Sequence, residues 1–452
     1  MIGETRMLNR ETIISVMAVW LMSISGMGFT QAGGEDVQDT TAVTVNLIRA
    51  ESRVKAVNHL WADGESKNRC TIIYASDSTT ALAGNNEDGS NLFPIIWFQP
   101  AEDGKFGYMC FGFQSGWPRV GGLQWEGAVN EKGLFYDFAT TEEVKVPRDP
   151  DKPDSWGLSG KMIMECTTVD EAIKLFSEYN FKDGVWKGHY LIGDRFGNSA
   201  IIEPLAIIRK SRKYQVVTNF LQSGSNPETS TCERYRLASK LFEQSDEIFI
   251  GLFRRILGDT HAEDYGGSYN VTLYSYIHDL KTGDMYIYNF HDYNRVVTLN
   301  IHEELKKGPH AYLISSLFPY ETYAEQQYKA TRLVFMLLEK ALNSGITGEE
   351  GAIAFYKAVN SPRDTLVNYR IGEEYLKTVG DVLLQYNKND EAIELFSFMV
   401  EEFPPSASTY DSRGEAYMRA GNKELAIADY RRSLELNPNN KNATKMLEQL
   451  QE

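Results

Sequence analysis

The amino-acid sequence predicts an α+β layered domain followed by an all-helical array. From Cys70 to about residue 310, short β-prone runs joined by turn signals alternate with two helical blocks. Beyond about residue 322 the β-prone runs stop, and the apolar spacing becomes helical. Within that second part, residues 373–406 and 407–440 form two segments of 34 residues with small residues at matching positions.

The β-prone part opens with residues 69–88, RCTIIYASDSTTALAGNNED, in which a lone cysteine precedes two runs separated by a turn. The second run ends in an acidic, amide-rich tip. Four further hairpins are predicted, because Gly, Asn and Asp cluster between alternating apolar runs. Their turns are expected at residues 103–104, 130–133, 197–198 and 283–284.

Two helical blocks lie between the hairpins. In the first, Thr168 and Glu171 form a capping box, the signature of a helix start. The second block covers residues 232–257. Antiparallel hairpins with helices inserted between them are typical of α+β domains in which helices cover the sheets.

The composition is that of an acidic globular protein. Hydrophobic residues make up 42% of the 452 residues and aromatic residues 12%, which argues against general disorder. The formal net charge is −16, from 62 acidic and 46 basic residues. Because phosphate binding needs clustered positive charge and the sequence has no basic stripe, no nucleic-acid partner is expected.

The N-terminus has the order of segments found in secretory signal peptides. Arg6 and Arg10 precede an apolar run of 17 residues, and small residues follow it. We predict a signal peptide over residues 1–32, cleaved near Ala32, and therefore an exported protein, periplasmic or secreted. The alternative is an uncleaved membrane anchor, although the run is short for a span. Residues 33–69 are polar and are interpreted as a propeptide or linker.

Cysteine usage indicates neither a disulfide framework nor a metal site. The four cysteines are separated by 40, 56 and 66 residues, and these spacings match no zinc motif. An oxidising compartment would permit one or two disulfides. The cysteines are Cys70, Cys110, Cys166 and Cys232.

The helical part resembles tetratricopeptide repeats. Three features recur at the 34-residue period: a small residue early in the segment, an alanine at the helix crossing and a proline at the end. The matching pairs are Gly380 and Gly414, Ala392 and Ala426, and Pro404 and Pro438. The resemblance implies two repeats and a capping helix over residues 373–452, preceded by connecting helices over residues 322–372. It also implies a surface for a protein partner or for self-association, whereas unrelated helical hairpins are the alternative.

Residues 69–88 resemble the opening of the N-terminal-nucleophile (Ntn) hydrolases of the choloylglycine hydrolase and penicillin V acylase family, especially the isopenicillin N acyltransferase-like branch. In that family a cysteine becomes the first residue of the catalytic chain by signal removal or autoproteolysis. The resemblance implies a four-layer αββα sandwich over residues 70–321 that hydrolyses a non-peptide linear amide without metal or cofactor. Cys70 would be the nucleophile, and Asp88, in the family's Gly-x-Asn-x-Asp tip, would lie beside its amine.

Four later segments resemble the same family in the same order. The hairpin GAVNEKGLFYDFATT resembles the one that supplies a backbone N–H to the oxyanion hole, near Thr140. YQVVTNF resembles the strand that carries the oxyanion-hole side chain, at Asn219. TCERYRLAS resembles the helix start that carries the active-site arginine, Arg234, and HYLIGDRFGNSAIIE matches a core hairpin.

These residue types suit acyl transfer. A free thiol has a pKa of about 8.5 and is only partly ionised at neutral pH. The α-amine of a chain-terminal Cys70, with a pKa of about 8, would accept the thiol proton. Asp88 would orient that amine, Arg234 would favour the thiolate, and the groups at Asn219 and Thr140 would stabilise the oxyanion. Water would resolve the acyl-thioester, and an amine or thiol in its place would make the protein an acyltransferase.

Further residues are predicted to contact the substrate. Asn85 stands where bile-salt hydrolases carry an arginine, which places bile-salt specificity in doubt, and Asn86 follows it. Trp125 is expected to line an acyl pocket, together with other hairpin aromatics. Candidate substrates are N-acyl amino acids, acyl homoserine lactones, penicillin V and conjugated bile acids, in that order. The other aromatics are Trp97, Phe98 and Trp117.

Each site residue also has a structural explanation when it is considered alone. Cys70 could be an unprocessed core thiol and Asp88 an Asx turn. Asn219 could be a turn residue and Arg234 a surface charge. The competing interpretation is therefore a binding or assembly protein, in which the hydrolase-like domain is inactive and the repeat array docks a partner.

Overall fold

The chain folds as two compact units, one ending at Glu325 and the other beginning at Gln326. The computed structural model describes residues 70–451, apart from residues 90–92, 116–121, 156, 182–184, 225–229, 264–270, 361–370 and 404. The predicted signal peptide, the predicted propeptide or linker, and Trp117 lie outside the described residues.

The described part of the first unit contains two antiparallel sheets. From edge to edge, the first consists of β14 (Tyr214–Val217), β1 (Thr71–Ser76), β2 (Ala81–Gly89), β15 (Val271–Asp279), β16 (Asp284–Asn289) and β17 (Val297–Asn300). The second consists of β13 (Ala206–Arg209), β12 (Ser199–Glu203), β11 (His189–Asp194), β6 (Leu134–Ala139), β5 (Gly122–Asn130), β4 (Tyr108–Ser115), β3 (Pro94–Gln99) and β18 (His310–Leu313). Two short strand pairs flank them: β7 (Val144–Lys145) with β10 (Val185–Trp186), and β8 (Asp154–Ser155) with β9 (Asn180–Phe181).

Helices cover the outer face of each sheet. They are α1 (Leu158–Glu165) and α2 (Val169–Ser177) on the second sheet, and α3 (Glu233–Glu243) and α4 (Ile250–Thr260) on the first. A short helix, α5 (Ile301–Leu305), follows β17. The inner faces of the sheets meet directly, since Phe111 of β4 stacks on Tyr276 of β15 with ring centroids 4.1 Å apart. The predicted four-layer αββα sandwich is confirmed.

The four predicted hairpins form between β3 and β4, β5 and β6, β11 and β12, and β15 and β16. Asp103 and Gly104, at the first turn, have φ angles of 51° and 75°, the left-handed conformation that a two-residue hairpin turn requires. Thr168 and Glu171 form the predicted capping box at the start of α2.

One local prediction was wrong. Residues 85–88 do not form a tip but lie inside β2, paired with β1 on one side and β15 on the other. Their polar side chains are compatible with a central strand because neighbouring strands and helices supply hydrogen bonds. The helical block predicted over residues 232–257 consists of two helices, because the polar residues 244–247 interrupt its apolar stripe.

The second unit is helical throughout its described residues. Its helices are α6 (Tyr323–Ser344), which begins in the first unit, α7 (Ala352–Asn360), α8 (Glu373–Gln385), α9 (Asn389–Glu402), α10 (Ala407–Arg419), α11 (Lys423–Leu436) and α12 (Lys441–Gln451). Gly380 of α8 lies against the ring of Phe396 on α9, and Gly414 of α10 lies against the ring of Tyr430 on α11. The two segments therefore repeat one helix crossing. None of the described helices is long and apolar enough to span a membrane.

The two glycines at these crossings are expected to tolerate a side chain differently. A Cβ atom at Gly380 would lie 2.4 Å from the ring of Phe396, whereas one at Gly414 would lie 3.1 Å from the ring of Tyr430. Overpacking costs about 1–3 kcal/mol, and replacing a helical glycine by alanine gains about 0.5–1 kcal/mol. Gly380→Ala is therefore expected to destabilise α8 and α9 by about 1–2 kcal/mol, and Gly414→Ala to have a smaller effect on α10 and α11. Amide hydrogen exchange in these four helices measures both, and equal effects would contradict the packing described.

Candidate active site

Cys70 lies at the start of β1 and contacts a buried carboxyl group. Thr71 pairs with Asn86 across the β1–β2 ladder, so Cys70 lies opposite Glu87 on the same face of the sheet. The Cys70 Sγ is 3.9 Å from Glu87 Oε1, and the two residues are 4% and 5% exposed. The thiol is therefore enclosed, with a carboxyl group as its side-chain partner.

A chain of hydrogen bonds joins Cys70 to three of the predicted site residues. Arg234, in the first turn of α3, donates from Nη1 to the Cys70 carbonyl oxygen at 2.6 Å. It also donates from Nη2 to Asn219 Oδ1 at 3.0 Å. The Asn219 Nδ2 in turn donates to the Thr140 carbonyl oxygen at 2.9 Å. Residues from four separate elements of the fold thus meet at one place.

The Asn219 amide has a fixed orientation in this arrangement. Its oxygen accepts from Arg234, which identifies the other atom as the nitrogen, and one of the two N–H bonds of that nitrogen is directed to Thr140. The sequence predicts that Thr140 acts through its backbone N–H, whereas the contact that joins it to Asn219 uses its carbonyl oxygen.

Asp88 is held on the opposite face of β2 from Glu87. Its Oδ1 accepts from Thr272 Oγ1 at 2.5 Å, and the side chain is 1% exposed. Its backbone N–H donates a hydrogen bond to the Cys70 sulfur, which lowers the pKa of that thiol. The predicted contact between the Asp88 carboxylate and the Cys70 amine stays a prediction.

Other effects on the Cys70 thiol act in the opposite direction. Burial raises its pKa well above the ordinary value, and the negative charges of Glu87 and then Asp88 raise it further. The hydrogen bond from the Asp88 N–H offsets only part of this rise in the thiol pKa. In the uncut chain, Cys70 is consequently a protonated thiol that needs a proton acceptor before it can attack.

Glu87 belongs to a buried acidic cluster that spans the two sheets. Burial raises the pKa of Glu87 well above its usual range, and the charges of Glu126, Asp137 and Asp88 raise it further. Burial also raises the pKa of Asp137 on β6 to about 8, although hydrogen bonds from the Tyr276 hydroxyl and the Phe138 N–H act against it.

This cluster predicts a pH-dependent stability. A carboxyl group with a folded pKa of about 8 and an unfolded pKa of about 4 stabilises the folded state fully below about pH 4. That contribution is lost as the pH rises through 8. Between pH 5.5 and pH 9 the unfolding free energy is expected to fall by at least about 1 kcal/mol more in the unchanged protein than in Asp137→Asn. Denaturant unfolding at both pH values measures this, with exposed Glu142→Gln as the control, and equal slopes for all three proteins would contradict it.

The residues predicted to bind substrate lie in three different places. Asn85 is fully buried and donates from Nδ2 at 3.1 Å to Oε2 of Glu87, whose other carboxyl oxygen contacts the thiol. Asn86 faces the covering helices instead, where its Nδ2 donates to the Leu257 carbonyl oxygen and its Oδ1 accepts from Ser275. Trp125 packs on the outer face of the second sheet, 4.9 Å from Tyr108 between ring centroids.

The structure also describes two of the other aromatic residues that were predicted to line the acyl pocket, Trp97 and Phe98. Trp97 packs on the same outer face of the second sheet as Trp125. Phe98 is fully buried and stacks on His310, with ring centroids 4.9 Å apart. Among these residues, the described contacts join only Asn85 to the Cys70 thiol, through the carboxyl group of Glu87.

A buried histidine and glutamate hold the loop that carries Asn219. The Glu203 carboxylate accepts from the backbone N–H groups of Gln222 and Ser223 at 2.6 Å and 2.9 Å, and lies 3.3 Å from His189 Nδ1. The His189 Nε2 is 2.7 Å from the carbonyl oxygen of Thr218, the residue before Asn219. Burial alone would raise the pKa of Glu203, but these hydrogen bonds lower that pKa to about 2. The loop is thus tied to β11 and β12.

Sequence reasoning missed Glu87, Asp137, His189 and Glu203. A signal for Asp137 was present, because it is the single charged residue in an otherwise apolar strand, LFYDFA, and such a residue is usually buried with a partner. Glu87 alternates with Asn85, which the sequence did single out. His189 and Glu203 lie in the core hairpin that the sequence identified only as scaffold. Among the described residues, no group of three or more His, Cys, Asp or Glu side chains is arranged to hold a metal ion.

Comparison with known proteins gives one family match and several structural similarities. Residues 412–440 match the tetratricopeptide repeat. The predicted repeat is confirmed there. No curated protein matches the sequence.

The chain is similar to solved structures of a conjugated bile acid hydrolase and a penicillin V acylase. Two structures of a conjugated bile acid hydrolase from Clostridium perfringens cover 54% of this chain and 96% and 97% of their own, at 14% and 15% identity and TM-scores of 0.41 and 0.42. A penicillin V acylase from Agrobacterium tumefaciens covers 49% of this chain and 82% of its own, at 14% identity and a TM-score of 0.38.

Proposed function

We propose that the protein is an exported cysteine Ntn-hydrolase that cleaves a non-peptide linear amide through an acyl-thioester on Cys70. The observation that carries the proposal is the hydrogen-bonded chain from Cys70 through Arg234 and Asn219 to Thr140. A thiol, a fixed amide donor and a guanidinium that converge from distant parts of the chain form a nucleophile with an oxyanion site.

The mechanism begins once Cys70 is the first residue. Its α-amine takes the thiol proton, and the sulfur attacks the carbonyl carbon of the substrate amide. The second N–H of Asn219 and the backbone N–H of Thr140 stabilise the oxyanion that develops, while Arg234 holds the Asn219 amide in place. The protonated α-amine then gives its proton to the leaving nitrogen, and the thioester forms as the C–N bond breaks.

Hydrolysis of the thioester completes the cycle. The α-amine, now neutral, removes a proton from water as the water attacks the thioester carbonyl carbon. The same oxyanion site is used a second time. The sulfur of Cys70 then leaves the acyl carbon as a thiolate, and the carboxylic acid product is released. We propose N-acyl amino acids first as substrates, then acyl homoserine lactones, penicillin V and conjugated bile acids.

The proposal is tested with a chain produced so that Cys70 is its first residue, for example from a fusion whose protease leaves that cysteine exposed. The protein is incubated with one amide from each of the four classes and stopped with acid. We expect product from at least one class, and a mass increase on the peptide that begins at Cys70 equal to the acyl group minus one hydrogen. No product and no adduct with any class would count against the proposal.

The repeat array supports a second candidate function. The tetratricopeptide match at residues 412–440 favours a partner docked on the helical unit. In this alternative the first unit is an inactive scaffold. It would be favoured if the Cys70-first chain hydrolysed none of the amides and a purified partner bound the unchanged chain and Cys70→Ala with equal affinity.

A further inference from the structure

Self-cleavage of the Arg69–Cys70 bond, which would expose Cys70 as the first residue, needs a base that the mature enzyme does not need. This inference rests on the proposed function. In the uncut chain, the nitrogen of Cys70 belongs to the peptide bond with Arg69, and an amide nitrogen does not accept a proton near neutral pH. The α-amine that serves as the base during turnover is therefore a product of the cleavage, and a different group must accept the thiol proton first.

We propose that Glu87 is the base that activates Cys70 for cleavage of the Arg69–Cys70 bond, and that the released α-amine replaces it in turnover. The Glu87 Oε1 is the side-chain acceptor of the thiol, 3.9 Å from Sγ. The Asn85 amide holds the other carboxyl oxygen at 3.1 Å, which fixes the carboxyl group in the direction of the sulfur. The β1–β2 pairing places the two residues opposite each other.

The cleavage step balances as an N-to-S acyl shift. Glu87 takes the thiol proton, and the sulfur attacks the carbonyl carbon of Arg69. The C–N bond then breaks, and the proton passes from Glu87 to the nitrogen of Cys70, which leaves as a free amine. Water finally hydrolyses the thioester, so that Arg69 ends as a carboxylate and Cys70 regains its thiol. Apart from water, the step consumes no other reactant.

Arg234 is placed to keep the reacting segment still during this shift. Its Nη1 donates both to the Cys70 carbonyl oxygen at 2.6 Å and to Thr71 Oγ1 at 2.9 Å. The backbone on the C-terminal side of the scissile bond is thereby fixed while the sulfur moves.

The surroundings of Glu87 make its carboxylate a stronger base than an exposed one. The charges of Glu126 on β5, Asp137 on β6 and Asp88 on the other face of β2 act on Glu87. The other ionisable groups that interact with it are the thiol of Cys70 and the hydroxyls of Tyr274 and Tyr276 on β15. Burial and these charges raise the pKa of Glu87. Self-cleavage is consequently expected to accelerate as the pH rises and Glu87 loses its proton.

A purely electrostatic role for Glu87 makes the opposite prediction. The Glu87 charge raises the pKa of the Cys70 thiol, so Glu87→Gln gives more thiolate at any given pH. If charge alone mattered, this variant would cleave itself faster. If Glu87 is the base, the variant cleaves more slowly although its thiol reacts faster with iodoacetamide.

The experiment compares two forms of each variant. Chains that retain residues 33–69 are followed by intact mass for appearance of the Cys70 terminus, and chains produced with Cys70 first are assayed for amide hydrolysis. Loss of a general base typically costs about 100- to 10,000-fold. We expect Glu87→Gln to slow self-cleavage by at least about 100-fold, to react faster with iodoacetamide, and to leave kcat of the Cys70-first chain within about tenfold of the unchanged protein.

Asp137→Asn is the matched control, because it also removes a negative charge that raises the pKa of the thiol while Glu87 stays in place. It is expected to cleave itself no more slowly than the unchanged chain. If Glu87→Gln is inactive in both forms, Glu87→Asp decides between the two roles, because its carboxylate is withdrawn by one methylene. Slower self-cleavage with retained amide hydrolysis would support Glu87 as the base. Loss of both reactions would contradict that role.

Three results would overturn the inference. They are self-cleavage of Glu87→Gln at an unchanged or higher rate, an equal loss of cleavage and of turnover in Glu87→Asp, and an unchanged chain that does not cleave itself. The proposed function is judged separately, by whether the unchanged Cys70-first chain hydrolyses an amide.

Discussion

The Cys70→Ala variant is expected to lose amide hydrolysis by more than about 10,000-fold and to remain uncut after Arg69. Both reactions require the sulfur as the attacking atom. The neighbouring groups in the described contacts are carboxyls, amides, a guanidinium and the Thr71 hydroxyl, and none of them is as good a nucleophile as a thiolate. Because the side chain is small and buried, alanine leaves the fold in place, and the thermal midpoint is expected to change little.

The measurement is kcat/KM on the best substrate of the panel, together with the intact mass of the purified chain. Cys110→Ala is the matched control, since this second buried cysteine lies in the outer core of the second sheet and is expected to retain activity. Hydrolysis that survives in Cys70→Ala would show that the nucleophile is another residue.

The Asn219→Ala variant is expected to lower kcat by about 100- to 1000-fold with little change in KM. Its amide is oriented by Arg234 on one side and by Thr140 on the other, so it is a preorganised donor rather than a flexible one. Such a donor acts on charge that develops in the transition state, and its loss therefore appears in kcat.

Gln222→Ala is the control for this loop. Gln222 also carries an amide, but its Nε2 donates to the Val216 carbonyl oxygen at 2.6 Å and to none of the site residues. It is expected to leave kcat within about tenfold of the unchanged protein. A fall in kcat of similar size in both variants would mean that Asn219 contributes only to the shape of the loop.

The layered fold and the order of the site residues could be predicted because their signals are local. Turn residues fixed the hairpins, the capping box fixed the start of α2, and the 34-residue period placed Gly380 and Gly414 at equivalent crossings. The family resemblance then gave Cys70, Asn219 and Arg234, which the structure joins by hydrogen bonds.

The acidic cluster could not be predicted because it depends on strand register and on tertiary pairing. A shift of one residue in the β1–β2 ladder would exchange Glu87 for Asn86 at the thiol. Asp137 comes from a strand of the other sheet, and its charge reaches Glu87 only because the inner faces of the sheets meet. Asn86 was predicted as a substrate contact because it follows Asn85, but the same alternation turns its side chain to the helices. Trp125 was predicted from its aromatic side chain in a hairpin, and the structure places it on the outer face of the second sheet.

The central claim is tested most directly by the N-terminus of the mature protein. It is determined by intact mass and terminal sequencing after expression of the full chain, with the predicted signal peptide included. We predict a chain that starts at Cys70, since only that terminus gives the nucleophile its α-amine. A stable chain that starts near residue 33, keeps the Arg69–Cys70 bond and still hydrolyses the amide would contradict the N-terminal-nucleophile mechanism.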